Sequence, residues 1–101
     1  MIIYNVTVNI EESVHEAWLA WMKQSHIPDV MRTGKFTDSR ILRIIGDEDS
    51  GGKTYSIQYS CATMETFQEY EQQYAPALRA EHNAKFKDKF VAFRTLLESV
   101  D

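Results

Sequence analysis

Apolar and polar residues alternate through the first ten positions: Ile2, Tyr4, Val6, Val8 and Ile10 are apolar, and Asn5, Thr7 and Asn9 lie between them. This period of two predicts a strand with one dry face. The period then lengthens. Val14, Ala17, Trp18, Trp21, Met22 and Ser25 recur at helical spacing, which puts both tryptophans and Met22 on one face, packed on the strand, while Glu16, Lys23 and Gln24 mostly point away. Ser13 followed by Glu16 has the spacing of a capping box, in which the hydroxyl takes a free backbone N–H and the carboxylate reaches back to the serine, so the helix is expected to start there. Pro28 lacks an N–H and disfavours helical geometry at Ile27, so the helix is expected to stop near His26. A short turn from Asp29 to Thr33, closed by Gly34 in the left-handed conformation, should follow.

The segment from Lys35 to Ile45 is rich in β-branched and long apolar residues, and Thr54 to Cys61 alternates again, with Tyr55, Ile57, Tyr59 and Cys61 on one face and Ser56, Gln58 and Ser60 on the other. An acidic, glycine-rich stretch between them, Gly46 to Gly52, makes this a hairpin with a long tip. From Thr63 onward, Phe67, Tyr70, Tyr74 and Leu78 form a helical stripe. Glu65 and Glu69 lie near its start and Arg79, Lys85, Lys87 and Lys89 toward its end, an order that suits the helix dipole. Pro76 should kink or restart this helix. Periodicity alone does not decide the tail, because Phe86, Phe90, Phe93 and Leu97 suit a helix while Phe93, Thr95 and Leu97 suit a strand.

Topology favours the strand. The order strand, helix, strand, strand, helix, strand is the ferredoxin-like βαββαβ arrangement of an α+β protein, a single domain over residues 1–101. Right-handed crossovers would then place both helices on one face of a four-stranded antiparallel sheet. The other face would carry Asn5, Thr7, Asn9, Ser56, Gln58 and Ser60, a polar set suited to a wet interior between two sheets. The element order, the segment from His26 through Ile27 and Pro28 to Phe36, and the aromatic second helix together resemble the dimeric α+β barrel superfamily. Within it, the chain resembles a small uncharacterised family with a Trp-rich first helix and a His-Ile-Pro segment. The resemblance covers essentially the whole chain and implies a homodimer paired sheet to sheet. The superfamily includes cofactor-independent monooxygenases, haem-degrading monooxygenases, isomerase-like enzymes and proteins without known activity, so the fold leaves the function open. Its haem-degrading branch resembles a pattern of Asn on the first strand, Trp at the end of the third and His on the second helix. Asn5 and His82 fit two of these places, but Tyr59 or Cys61 stands where the Trp should be, which argues against haem degradation.

Composition narrows the classes further. With 11 Lys and Arg against 15 Asp and Glu, the net charge of −4 argues against nucleic acid as a partner. No apolar run is long enough for a membrane span, and the start MIIYNV lacks the features of a signal peptide, which suggests a cytoplasmic protein. One Cys and three His leave no spare ligands for structural zinc, and no cofactor is implied. An EF-hand beginning at Asp47 would fail where Gly51 and Gln58 stand. Asn5-Val6-Thr7 matches the glycosylation triplet, but it lies within a strand and no secretory signal precedes it.

The candidate ligand-binding residues are His26, Tyr59, Tyr70, Trp18, Trp21 and His82. His26 sits where a helix ends, and its imidazole could exchange a proton near neutral pH or simply fix the turn. His82 falls on the apolar stripe of its helix, which suits packing as well as a ligand role. Trp18, Trp21, Phe67, Tyr70 and Tyr74 suit either a core or the walls of a pocket for a flat ligand, and the buried phenols of Tyr59 and Tyr70 each need a partner. His15 is expected to be exposed. Cys61 would be a nucleophile only if its pKa were depressed. The leading expectation is a homodimer that binds a small organic ligand between sheet and helices. The alternatives are a cofactor-independent monooxygenase or isomerase, in which His or Tyr moves a proton, and a structural or regulatory dimer without a pocket.

Overall fold

In the computed structural model, which describes residues 1–46 and 51–100, β1 (Ile2–Glu11) lies beside both β3 (Gly52–Cys61) and β4 (Phe90–Glu98), and β2 (Asp38–Arg43) closes the other edge. The order β2-β3-β1-β4 with every pair antiparallel is the ferredoxin-like sheet. The tail is therefore a strand. The acidic tip considered for calcium lies largely outside the described residues.

Register follows the alternation. Tyr4 pairs with Tyr59 and Val6 with Ile57, placing these side chains on the helix-covered face, while Asn5 pairs with Gln58 and Thr7 with Ser56 on the opposite face. Tyr4, Val8, Ile10, Tyr55, Ile57, Tyr59 and Cys61 are buried beneath the helices. On the open face Asn5 donates to Thr7 Oγ1 at 3.0 Å and accepts from Ser56 Oγ. This polar centre is flanked by apolar edge positions: Val91 and Phe93 on β4 are 70% and 62% exposed, and Leu42 lies across on β2.

The first helical stretch departs from the expectation at both ends. A 3-10 turn, Glu12–Val14, follows β1 directly, α1 spans His15–Trp21, and no side chain caps either start. Ser13 donates to Glu11 Oε1 at 2.7 Å, so its hydroxyl faces back to the strand end and no capping box forms. Nor does the helix stop near His26. A π-helical turn, Met22–His26, leads without a break into α2 (Ile27–Arg32), and the Ile27 N–H reaches the Met22 carbonyl five residues back. The widened turn accommodates Pro28, whose missing N–H and ring would disrupt a regular α-helical ladder. Gly34 (φ 76°) does end this stretch, its N–H bonded to the Met31 carbonyl at 3.1 Å.

The second stretch is divided by proline as expected. Thr63 Oγ1 caps α3 (Met64–Gln73) by accepting the Thr66 N–H at 3.1 Å, and Pro76 sits in the first turn of α4 (Ala75–Lys85). The restart turns Tyr74 out of the aromatic stripe: it is exposed, and fully buried Ala75 takes the inward place.

Candidate functional site

Between the sheet and the helical stretches lies a cavity of about 500 Å3 including its open mouth, within which the centre of a water-sized sphere can move through about 40 Å3. His26, Tyr59, Tyr70 and His82 all line it. Trp18 and Trp21 do not, so the expectation that they form its walls is corrected: they stand one layer behind. Trp18 is fully buried and donates its indole N–H to His82 Nε2 at 3.0 Å, which makes that nitrogen the acceptor. Trp21 stacks on His26 with centroids 5.1 Å apart.

The π turn explains how the first helical stretch reaches the cavity. Trp18, Met22, His26 and Val30 recur every four residues. In a regular α-helix residues four apart drift by about 40° per step, so such a series would wind away from the sheet, and a turn holding one more residue takes back that drift. Met22, His26 and Val30 accordingly all line the cavity.

Burial sets the charge states of the two imidazoles. Desolvation, with His82 nearby and Asp29 opposing, lowers the pKa of His26 to about 4, so its ring is neutral at pH 7. Burial also lowers His82, Arg94 adding to the effect and Asn83 opposing it. The two rings meet edge to face at 5.7 Å, and His26 Nδ1 is buried without a hydrogen-bond partner among the described residues. Burial raises the phenols of Tyr59 and Tyr70, with neighbouring phenols adding to it, so both remain neutral hydroxyls.

Four polar residues that line this site, Tyr4, Arg79, Asn83 and Arg94, escaped the sequence reading, and three of them meet. Tyr4 Oη accepts from Arg79 Nη2 at 2.9 Å and from Arg94 Nε at 3.0 Å, and all three residues line the cavity. Arg79, which the sequence places with Lys85, Lys87 and Lys89 toward the helix end, is half-buried and also pairs with Glu71. Its Nε is buried without a partner among the described residues. Arg94 did leave a signal, because Phe90, Ala92 and Arg94 are alternate residues of β4 and a cation there interrupts the inward series.

Other candidates lie elsewhere. His15 is half-buried rather than exposed, bonded to the Tyr55 hydroxyl at 2.7 Å and stacked on its ring. Burial raises the Cys61 thiol, the reverse of what a nucleophile needs. Asn5 and His82, two members of the haem-degrading pattern, occupy opposite faces of the sheet and do not converge.

The matching family model spans residues 1–100, and the chain belongs to that family, a domain of unknown function, DUF4286. No curated protein matches the sequence. Among solved structures the chain is similar to an "ethyl tert-butyl ether d (ethd) family protein" from Bacillus halodurans, at 14% identity over 99% of this chain and 100% of that one, with a TM-score of 0.68. It is also similar to a dimeric ferredoxin-like protein from an uncultured marine organism, at 12% identity over 100% and 96% of the two chains and a TM-score of 0.68. A protein from Arabidopsis thaliana aligns at 14% identity over 100% and 99%, with a TM-score of 0.69. At these identities the likeness is one of fold, and it agrees with the dimeric α+β barrel resemblance.

Proposed function

Taking the chain as a member of this family, we propose that it acts as a sheet-to-sheet homodimer that binds a small organic molecule in the cavity between sheet and helices. One observation carries the binding reading: buried polar atoms, His26 Nδ1 and Arg79 Nε, are left without partners in residues that line an open cavity. Leaving such groups unmet costs about 1–3 kcal/mol each, a penalty that a bound molecule with matching groups removes. The site has the usual make-up of a small-molecule pocket, with apolar walls from Val6, Val8, Val30, Ile57 and Leu78 and a few polar groups. The low pKa of His26 favours binding over proton abstraction, because a base that titrates near pH 4 has little driving force at neutral pH.

The dimer reading is supported by the open sheet face, where a hydrogen-bonded polar centre lies between exposed Val91, Phe93 and Leu97 on one edge and Leu42 on the other. A dimeric solved structure of the same fold supports it further. A cavity-filling variant tests the binding reading. Ala92→Phe adds a ring to a residue that lines the cavity on the edge strand, and it should abolish calorimetric binding of small aromatic probes while the fold persists. Unchanged probe affinity in a folded variant would refute the cavity as the site.

A further inference from the structure

The polar groups around the cavity are unbalanced. Tyr4 is buried, and its hydroxyl oxygen accepts from both Arg79 and Arg94, so its lone pairs are engaged and its hydrogen remains to be donated. No acceptor for that hydrogen stands among the described residues. Arg79 Nε–H is a second buried donor without an acceptor. The hydroxyls of Tyr59 and Tyr70 are two more donors, and neither has a hydrogen-bond partner among the described residues.

Charge is unbalanced in the same direction. Glu71 is already engaged by Arg79, whereas the Arg94 guanidinium has a neutral phenol for its partner and no carboxylate within ion-pair distance among the described residues. A cation and several uncommitted donors therefore face a cavity whose other polar lining is His26, His82 and Asn83, all uncharged at neutral pH, and whose remaining walls are apolar.

Deepening the binding reading on which it rests, we propose that the ligand is a small organic carboxylate with an apolar body, its carboxylate met by Arg94 and the Tyr4 hydroxyl and its body lying against Val6, Val30 and Ile57. A carboxylate supplies two oxygens with several acceptor positions and the missing negative charge, and charge-assisted bonds of this kind are about twice as strong as neutral ones. A ligand rich in donors would leave the imbalance in place. A neutral amide of the same shape keeps one acceptor oxygen, loses the charge and adds an N–H2 group that faces donors.

The test compares matched acids and amides by calorimetry on the intact protein: benzoate with benzamide, phenylacetate with phenylacetamide, and hexanoate with hexanamide. The acid of at least one pair should bind tenfold or more tightly than its amide. Arg94→Gln should remove most of that difference, and Arg94 lies exposed on the edge strand, where the change leaves the core intact. If acids and amides bind alike to the unaltered protein, the carboxylate assignment is overturned and the cavity reading stands. If acids win but Arg94→Gln keeps the full preference in a protein with unchanged melting temperature, the assignment to Arg94 and Tyr4 is overturned. If no member of the panel binds, both the carboxylate assignment and the cavity reading fail.

Discussion

Lowering the pH from 7 to 5 should cost the folded protein about 2 kcal/mol through His26 alone. The imidazole of an unfolded chain titrates near its ordinary value of 6.5, whereas the folded environment lowers it to about 4. Between these values the unfolded state holds the proton and the folded state does not, so each unit of acidification removes about 1.4 kcal/mol. The stability is fully present above pH 6.5, falls through this window, and levels off once the folded ring is protonated near pH 4. His82 is lowered as well and acts in the same direction. Of the groups around His26, His82 adds to its shift and Asp29 opposes it, while Arg79 and Arg94 line the same cavity and Arg94 helps to lower His82. Urea unfolding at fixed protein concentration, at half-unit steps from pH 7.5 to 4.5, would measure the slope for the wild type and for His26→Phe, which keeps a ring against Trp21 and His82. The variant should lose less stability across the range, by about 2 kcal/mol between pH 7 and 5. Parallel slopes in the two proteins would refute the claim that His26 is held neutral by burial.

Gly52→Ala should destabilise by about 1–3 kcal/mol in chemical unfolding, because a Cβ there would stand 2.5 Å from the Ile10 carbonyl oxygen and meet backbone that cannot swing aside. Loss of the hydroxyl in Thr63→Ala should cost about 1 kcal/mol, since it caps the first turn of α3; a neutral result would mean the cap is replaced by water without loss. Phe93→Glu should shift the protein from dimer to monomer by light scattering at micromolar concentration, and an unchanged dimer would exclude the open sheet face as the interface.

The sheet was legible because its signal is local. Alternation in β1 and β3 assigns each side chain to a face, and pairing then aligns the faces across strands. The first helical stretch was misread where a local rule met a tertiary demand. A proline usually ends a helix, but here the turn widens around Pro28 and keeps Trp18, Met22, His26 and Val30 in line. That four-residue spacing was in the sequence, and a regular helical period hides it. The apparent capping box failed because the chain enters a 3-10 turn directly from the strand, and Ser13 bonds to Glu11. Four of the six proposed site residues converge on the cavity, since buried histidines and phenols among apolar neighbours are recognisable one residue at a time. The Tyr4, Arg79 and Arg94 constellation was not legible, because it joins β1, α4 and β4, and its members meet only once the strands are paired.

The cavity's role is tested most directly by locating a bound probe. Trp18 supplies the reporter, because its indole N–H bonds to His82, which lines the cavity, while the open face of the sheet carries its own reporters in the backbone amides of Gln58 and Phe93. In proton–nitrogen correlation spectra recorded as phenylacetate is added, the Trp18 indole signal should shift in a saturable way together with the His26 and His82 amides, while Gln58 and Phe93 stay in place. Shifts confined to the open sheet face, with the Trp18 signal unmoved, would contradict a binding site between the sheet and the helices.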